Sequence, residues 1–183
     1  MVLGSHNSMS YLPLRNWWFY PFRFMARCQS VDYRQQYEQY GVRLFDIRIG
    51  FFDGDCPMFC HGLANFKGDV NEVLRWLNNK GDTTVRIILE KGDEDAFKRW
   101  VAHWRAIFRD INWTTGVKKN GWKDLCGMKS IEQYIKHFYS SMQGSKIDDL
   151  WPRLWAKKNN KKMLAEIDVN ESSYVMMDFV EIG

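Results

Sequence analysis

A chain of 183 residues can bury one sizeable core but is short for two independent ones, so residues 1–183 are expected to form a single domain. With 45% hydrophobic and 26% charged residues the composition excludes disorder, and four scattered cysteines (Cys28, Cys56, Cys60, Cys126) are too few for a disulfide framework. The net charge of +4 is unevenly spread: Trp113 to Met163 carries eleven Lys/Arg against four Asp/Glu, while the last twenty residues carry five acids and no base. A basic face of this kind attracts phosphate-bearing surfaces, lipid or nucleic acid alike. No apolar run approaches the roughly 20 residues that span a bilayer. No basic region followed by an apolar signal core opens the chain, which is therefore expected to be soluble, and cytoplasmic unless a leader has been removed.

Met1-Val2-Leu3 reads as a buried strand that ends in the polar turn Gly4-Ser5-His6-Asn7-Ser8. An aromatic stretch, Trp17 to Phe24, precedes an expected helix from Val31 to Tyr40 that Gly41 stops. Val42 to Ile49 is the next expected strand. After a turn at Asp53-Gly54-Asp55, the run Pro57 to Cys60 reads as a short strand delivering His61-Gly62. Asp69 and Glu72 have the spacing of a capping box, and Val70, Val73, Leu74 and Leu77 share one face of the helix it opens. Thr84 to Leu89 is a β-branched strand ending at Glu90. Phe97, Trp100, Val101, Trp104, Ile107 and Phe108 form the stripe of a helix from Asp93 to Arg109.

The middle of the chain is less patterned. Helices are expected around Ile131–Phe138 and Ile147–Ala156, the second with Pro152 interrupting it or in its first turn. Lys157 to Lys162 reads as a solvated run, and Met163–Ile167 and Tyr174–Phe179 as strands. Strand–helix alternation through the first 110 residues predicts α/β with a parallel sheet.

His6, Asp46 with Arg48, His61, Glu90 and Asp178 all fall where a strand gives way to a loop, and in a (β/α) barrel such ends gather around one mouth. In Leu44-Phe45-Asp46-Ile47-Arg48-Ile49 the period of two puts Asp46 and Arg48 on one face and the apolar trio on the other. A structural ion pair is the plainer reading of those two charges. Two histidines just past strands suit proton transfer, one accepting from a hydroxyl and the other giving to a leaving alkoxide. His103 and His137 lie in helical patterns and read as ordinary surface residues. Cys56 and Cys60 before His61 lack the second ligand pair that a zinc site needs.

The blocks Leu3-Gly4-Ser5-His6-Asn7-Ser8, Gly41 to Arg48, His61-Gly62 and Val175 to Phe179 resemble, in order, those of the X-domain of phosphatidylinositol-specific phospholipase C. The resemblance implies a distorted, compact TIM-type (β/α) barrel with some helices or strands reduced, since a full barrel usually takes about 250 residues. It implies His6 as general base on the inositol 2-hydroxyl, giving a cyclic phosphate, and His61 as acid for the departing diacylglycerol oxygen. Arg48 would stabilise phosphoryl charge, Asp178 would orient His6, and Asp46 would assist proton transfer. Arg48, Glu90 and Asn7 would meet the substrate.

The family's calcium-dependent branch has a carboxylate where this chain has Arg48, so no cofactor is expected. The alternative is a calcium site of Asn7, Asp46 and Glu90. The aromatics Trp17, Trp18, Phe19 and Tyr20, flanked by arginines, suit a rim that touches a membrane; the same rings could instead be core. The expected partner is a phosphoinositide-type phospholipid, not nucleic acid. A metal-dependent glycerophosphodiester or sphingomyelin phosphodiesterase, and a non-catalytic lipid- or nucleic-acid-binding module, are the competing readings.

Overall fold

A computed structural model describes residues 2–52, 54, 56–118, 125–126, 135–138, 150–166 and 174–183. The fold is mixed α/β. Its parallel strands are β1 (Val2–Ser5), β2 (Leu44–Phe51), β5 (Thr84–Gly92), β6 (Asn112–Lys118), β8 (Ile135–Phe138) and β9 (Tyr174–Met177). Two short antiparallel additions, β3 (Pro57–His61) on β2 and β7 (Leu125–Cys126) on β6, make the sheet mixed, and β4 (Ala64–Asn65) pairs with β3. The order is β7-β6-β5-β2-β1-β9-β8, and among the described residues β7 and β8 do not pair, so the sheet is not closed.

One edge of β2 is shared. Its first residues, Leu44 and Phe45, pair with β1, and its last, Ile49 to Phe51, pair with β3. The gap between these partners is where the chain leaves β1, and Ser8 N bonds Asp46 O there. On the other edge, β5 runs beside β2 until a bulge at Glu90, because Ile49 faces Leu89 while Gly50 faces Lys91. Bulges re-aim side chains and are common beside active sites.

The period-two reading of β2 holds. Phe45, Ile47 and Ile49 join the main core with Val85, Ile87 and Leu89, against Val70, Val73, Leu74 and Leu77 of α3 (Val70–Asn78) and Phe97 and Trp100 of α4 (Glu94–Ile107). The other face carries a small cluster of Leu44, Ile88 and Met176, and the charged residues. Ile107, expected in the α4 stripe, is exposed at the helix end.

Asp69 caps α3 by accepting from Asn71 N and Glu72 N, but no reciprocal bond completes a box: Glu72 reaches Arg34 instead. The capping box belongs to α2 (Tyr33–Glu38), where Asp32 and Gln35 make both bonds, and Gly41 follows at φ +70°. Short α1 (Arg23–Ala26) follows a 3₁₀ turn at Trp17–Phe22.

The later chain departs from expectation. Ile135–Phe138 is a strand paired in register with β9, not a helix. Spacings of four and three among Ile131, Ile135 and Phe138 mimic helical periodicity, but β9 offers a row of backbone partners that local pattern cannot report. The helix expected at Ile147–Ala156 is α5, Pro152–Ala165, with Pro152 in its first turn. It absorbs the lysine run, with Lys157, Lys158, Lys161 and Lys162 outward and Asn160 buried, and it replaces the expected strand from Met163. Met1, Asp53, Asp55, residues 131–134 and 147–149, and Ile167 lie outside the described residues.

Gly92 ends β5 at φ +103°, where an added Cβ would stand 1.8 Å from Phe51 O, whereas Gly41 has open space around it. Gly41→Ala should therefore cost only about 1–2 kcal/mol for its left-handed backbone. Gly92→Ala adds a backbone clash at the start of α4 and should cost about 3 kcal/mol or more. Denaturant midpoints of the two variants check this order.

Candidate active site

His6 follows β1, its backbone N bonded to Met177 O. Its ring is buried, with Nδ1 2.7 Å from Asp178 Oδ1 and Nε2 3.1 Å from Arg48 Nη2. A carboxylate on one side and a guanidinium on the other assign the tautomer: Nδ1–H donates to Asp178, and the Nε2 lone pair accepts from Arg48. Asp178 reaches His6 because β9 ends beside β1.

Asp46 is entirely buried and fully engaged. Its Oδ2 accepts from Arg48 Nε and Asn7 N, each at 3.0 Å, and its Oδ1 accepts from Arg86 Nη1 at 3.0 Å. Burial pushes its pKa up, but Arg48, Arg86, His6 and the Asn7 amide together hold it well below the usual carboxylate range. Asn7 makes this contact at φ +42°, and its side-chain nitrogen is buried without a hydrogen-bond partner among the described residues.

Glu90, re-aimed by the bulge, accepts from Lys118 Nζ at 2.7 Å and Gly62 N at 3.0 Å on Oε1, and from Arg48 Nη1 at 3.5 Å on Oε2. Burial raises its pKa, but Arg48, His61 and Lys118 outweigh that and bring it to about 2. Among the described residues three carboxylates, Asp46, Glu90 and Asp178, thus gather with three cations, Arg48, Arg86 and Lys118, around two histidines.

His61 ends β3, its ring centroid 5.9 Å from that of His6 and nearly perpendicular to it. Its Nδ1 lies 3.1 Å from Ala26 O, to which it donates, leaving Nε2 as the exchangeable nitrogen. Burial, the largest effect, lowers its pKa to about 4; Glu90 opposes the shift, and Arg48 and His6 add to it. Beside it opens an apolar cavity of about 250 Å³ lined by Phe19, Met25, Ala26, His61, Gly62, Leu63 and Leu150. Trp17, Trp18, Tyr20, Phe22 and Phe24 are exposed around this region, but Phe19, expected on the rim with them, is buried in the core.

All the residues singled out in the sequence come together here: His6, Asn7, Asp46, Arg48, His61, Glu90 and Asp178. His103 is exposed on α4, while His137 sits in strand β8 and not in a helix. Several members escaped the sequence reading. Arg86 had a readable signal, a lone charge on the same period-two face as Glu90 inside an otherwise β-branched strand. Lys118 and Cys28 had none. The Cys28 sulfur lies 3.9 Å from His61 Nδ1, and donor atoms of His6, Cys28 and His61 all lie within 4.8 Å of one another, a soft set in size for a metal but beside the Arg48 guanidinium. Gln29 braces the site from behind by donating to His6 O and Met177 O.

No family model matches the chain, and no curated protein matches it in sequence. Solved structures do. The phosphatidylinositol-specific phospholipase C of Listeria monocytogenes superposes with a TM-score of 0.68 at 17% identity, covering 97% of this chain and 87% of that one. A double mutant of the Staphylococcus aureus enzyme gives 0.68 at 12% identity, covering 97% and 84%. A further S. aureus structure, concerned with modulation of membrane binding, gives 0.62 at 12%, covering 97% and 85%. The chain therefore shares the fold of these bacterial enzymes. No helix among its described residues is long and apolar enough to cross a membrane.

The depressed histidine fixes a sign for stability against pH. Folded His61 holds its proton less tightly than the unfolded chain, so stability is undiminished above the ordinary 6.5 and falls as pH drops toward about 4. The full loss is about 3 kcal/mol. Glu90 adds a further loss as pH falls from 4.5 toward about 2. Thermal midpoints should decline from pH 7 to pH 4 in the wild type, and His61→Gln should flatten the decline above pH 4.5.

Proposed function

We propose that the protein is a phosphodiesterase that cleaves phosphatidylinositol-type lipids to diacylglycerol and inositol cyclic phosphate, on a distorted TIM-type barrel. The carrying observation is the His6 arrangement: Nδ1 on Asp178 at 2.7 Å, Nε2 toward Arg48, and a second buried histidine 5.9 Å away. A base oriented by a carboxylate, an acid across from it and a fixed cation between are what in-line displacement at phosphorus needs.

In the proposed reaction a substrate phosphoryl oxygen takes over the Arg48 Nη2–H, which frees the Nε2 lone pair of His6. The inositol 2-hydroxyl gives its proton to that nitrogen while its oxygen bonds phosphorus. The bond from phosphorus to the glycerol oxygen breaks, and His61 Nε2–H protonates the departing alkoxide. Reversal of the two roles with water would open the cyclic phosphate. Asp46 and Asp178 keep their charge throughout, Asp46 holding Arg48 in place and Asp178 holding His6.

His61 is neutral in the free site above about pH 4, yet the acid must carry a proton. Charge balance supplies one. Among the described residues three carboxylates offset three cations, so a phosphodiester would add one negative charge to that set, and protonating His61 would offset it. The apolar cavity beside His61 supports this reading, since it offers the leaving diacylglycerol an apolar surface next to the acid.

A calcium site of Asn7, Asp46 and Glu90 fits poorly. Both carboxylates already face guanidinium or ammonium groups, and Arg48 bonds to both. A dication there would meet three fixed positive charges. The same argument counts against a metal-dependent glycerophosphodiester or sphingomyelin phosphodiesterase.

Activity on phosphatidylinositol vesicles should thus survive chelator; complete loss with rescue by calcium would sink the role given to Arg48. His61→Ala should cost about 10²–10⁴-fold on the natural lipid, and most of that loss should vanish with a nitrophenolate leaving group. His6→Ala should damage both substrates, since the attacking hydroxyl still needs a base. Equal losses for both variants on both substrates would contradict this division, and an inactive wild type would leave a lipid-binding module.

A further inference from the structure

A second cavity, of about 320 Å³, is lined by Tyr20, Arg23, Phe24, Arg27, Arg153 and Phe179. None of these belongs to the His6–His61 centre. The two sites separate at Phe179, whose left-handed backbone (φ +50°) follows Asp178: Asp178 bonds His6, while the Phe179 ring faces the Arg153 guanidinium at 5.5 Å.

Three arginines line this cavity, close enough for the charges of Arg23 and Arg153 to act on Arg27. Arg23 Nη2 donates to Tyr11 O at 2.8 Å and Leu12 O at 3.3 Å, and Arg27 donates to Gln29 O at 3.2 Å and Ser30 O at 3.4 Å. Carbonyls fix such groups in place without neutralising them. Among the described residues none of the three makes an ion pair with a carboxylate. Among the described residues the acid whose charge reaches Arg27 is Glu181, which accepts the Ser30 hydroxyl. Arg27 is accordingly pushed below its ordinary pKa, first by burial and then by Arg23 and Arg153. Like charges held together at this expense are the signature of a site completed by an anion, and arginine forks match phosphate oxygens.

The rim says where the anion comes from. Tyr20 and Phe24 are exposed and continuous with Trp17, Trp18 and Phe22, and Phe24 stacks on Trp151 at 5.7 Å. Rings of this kind favour the membrane–water interface, at headgroup depth. We propose that the Arg23–Arg27–Arg153 cavity binds the phosphodiester of an anionic phospholipid headgroup, a docking site separate from the catalytic one. It rests on the reading that the aromatic rim meets a bilayer, but it does not require turnover.

Cosedimentation with phosphatidylcholine vesicles, with and without phosphatidylglycerol, tests it without any catalysis. The wild type should prefer the anionic vesicles. Arg153→Glu, at an exposed position, and Arg27→Gln should each weaken that binding about tenfold. Arg109→Glu makes the same charge change as Arg153→Glu where the chain enters β6, at the N-terminal ends of the strands, and should bind like wild type. Trp17→Ala should weaken binding to both vesicle types alike. Equal losses in Arg153→Glu and Arg109→Glu would overturn the cavity in favour of diffuse charge. Calorimetric binding of inorganic phosphate that Arg153→Glu abolishes, with vesicle binding untouched, would overturn the lipid assignment. An enzyme inactive on phosphatidylinositol whose vesicle preference still depends on Arg153 would sink the catalytic reading and keep this one.

Discussion

The Arg48 guanidinium is the piece on which the site depends. Its Nε bonds Asp46 within β2, its Nη1 reaches Glu90 on β5, and its Nη2 meets His6 at the end of β1. One planar cation therefore ties together three neighbouring strands on their inner face. Such a buried array is weak evidence for stability, because removing several charges from water costs about as much as their attraction returns. Its worth lies in position. In the proposed reaction a fixed positive charge in a water-poor site would need no reorganisation as a phosphoryl group gathered negative charge in front of it.

That array requires the interrupted edge of β2. Had β1 run alongside β2 for its whole length, Asp46 would have had a continuous strand beside it, and His6 could not have turned in above the sheet. Instead β1 stops after two paired residues, β3 takes up the edge at Ile49, and Asn7 in the gap gives its backbone N–H to Asp46 at positive φ. The bulge at Glu90 does the corresponding work on the other edge. Backbone irregularity, more than any one side chain, makes the room in which the charges meet.

Much of this was legible in the sequence, and the reason is the period of two. In β2 the alternation separated Asp46 and Arg48 from Phe45, Ile47 and Ile49 without knowledge of any partner strand, and His6, His61 and Asp178 each sat at a strand end. What could not be read was whatever depends on pairing across the fold. The bulge at Glu90, the approach of Lys118 from β6 and the Cys28 sulfur beside His61 are products of register and packing, and no local pattern encodes them. The β8 strand was misread because its apolar spacing fits a helix equally well. The lysine run is solvated as expected, with Lys157, Lys158, Lys161 and Lys162 outward, but its uniform polarity gave no sign that it continues helix α5. Within the run Asn160 is buried and bonded to Asp178 O and Phe179 O, continuing the inward face that Trp155 and Ala156 begin.

The two histidines illustrate how one environment can prepare opposite roles. His6 is flanked by an acceptor on Nδ1 and a donor on Nε2, which together fix the tautomer whose Nε2 lone pair can take a proton. Around His61 the described residues place a carbonyl on Nδ1, a thiol nearby and an apolar wall, and burial is the largest effect on its state, lowering its pKa to about 4. A neutral His61 cannot begin the proposed cycle as acid, and a permanently charged one would cost the free protein the hydration of a buried cation. In the proposed reaction the substrate's own charge resolves this conflict. The phosphodiester would arrive at a site whose fixed charges balance among the described residues, and the proton that follows it onto His61 is the one the leaving group needs. On this argument the acid is armed only when substrate is bound, which keeps the free site neutral and ties proton uptake to binding.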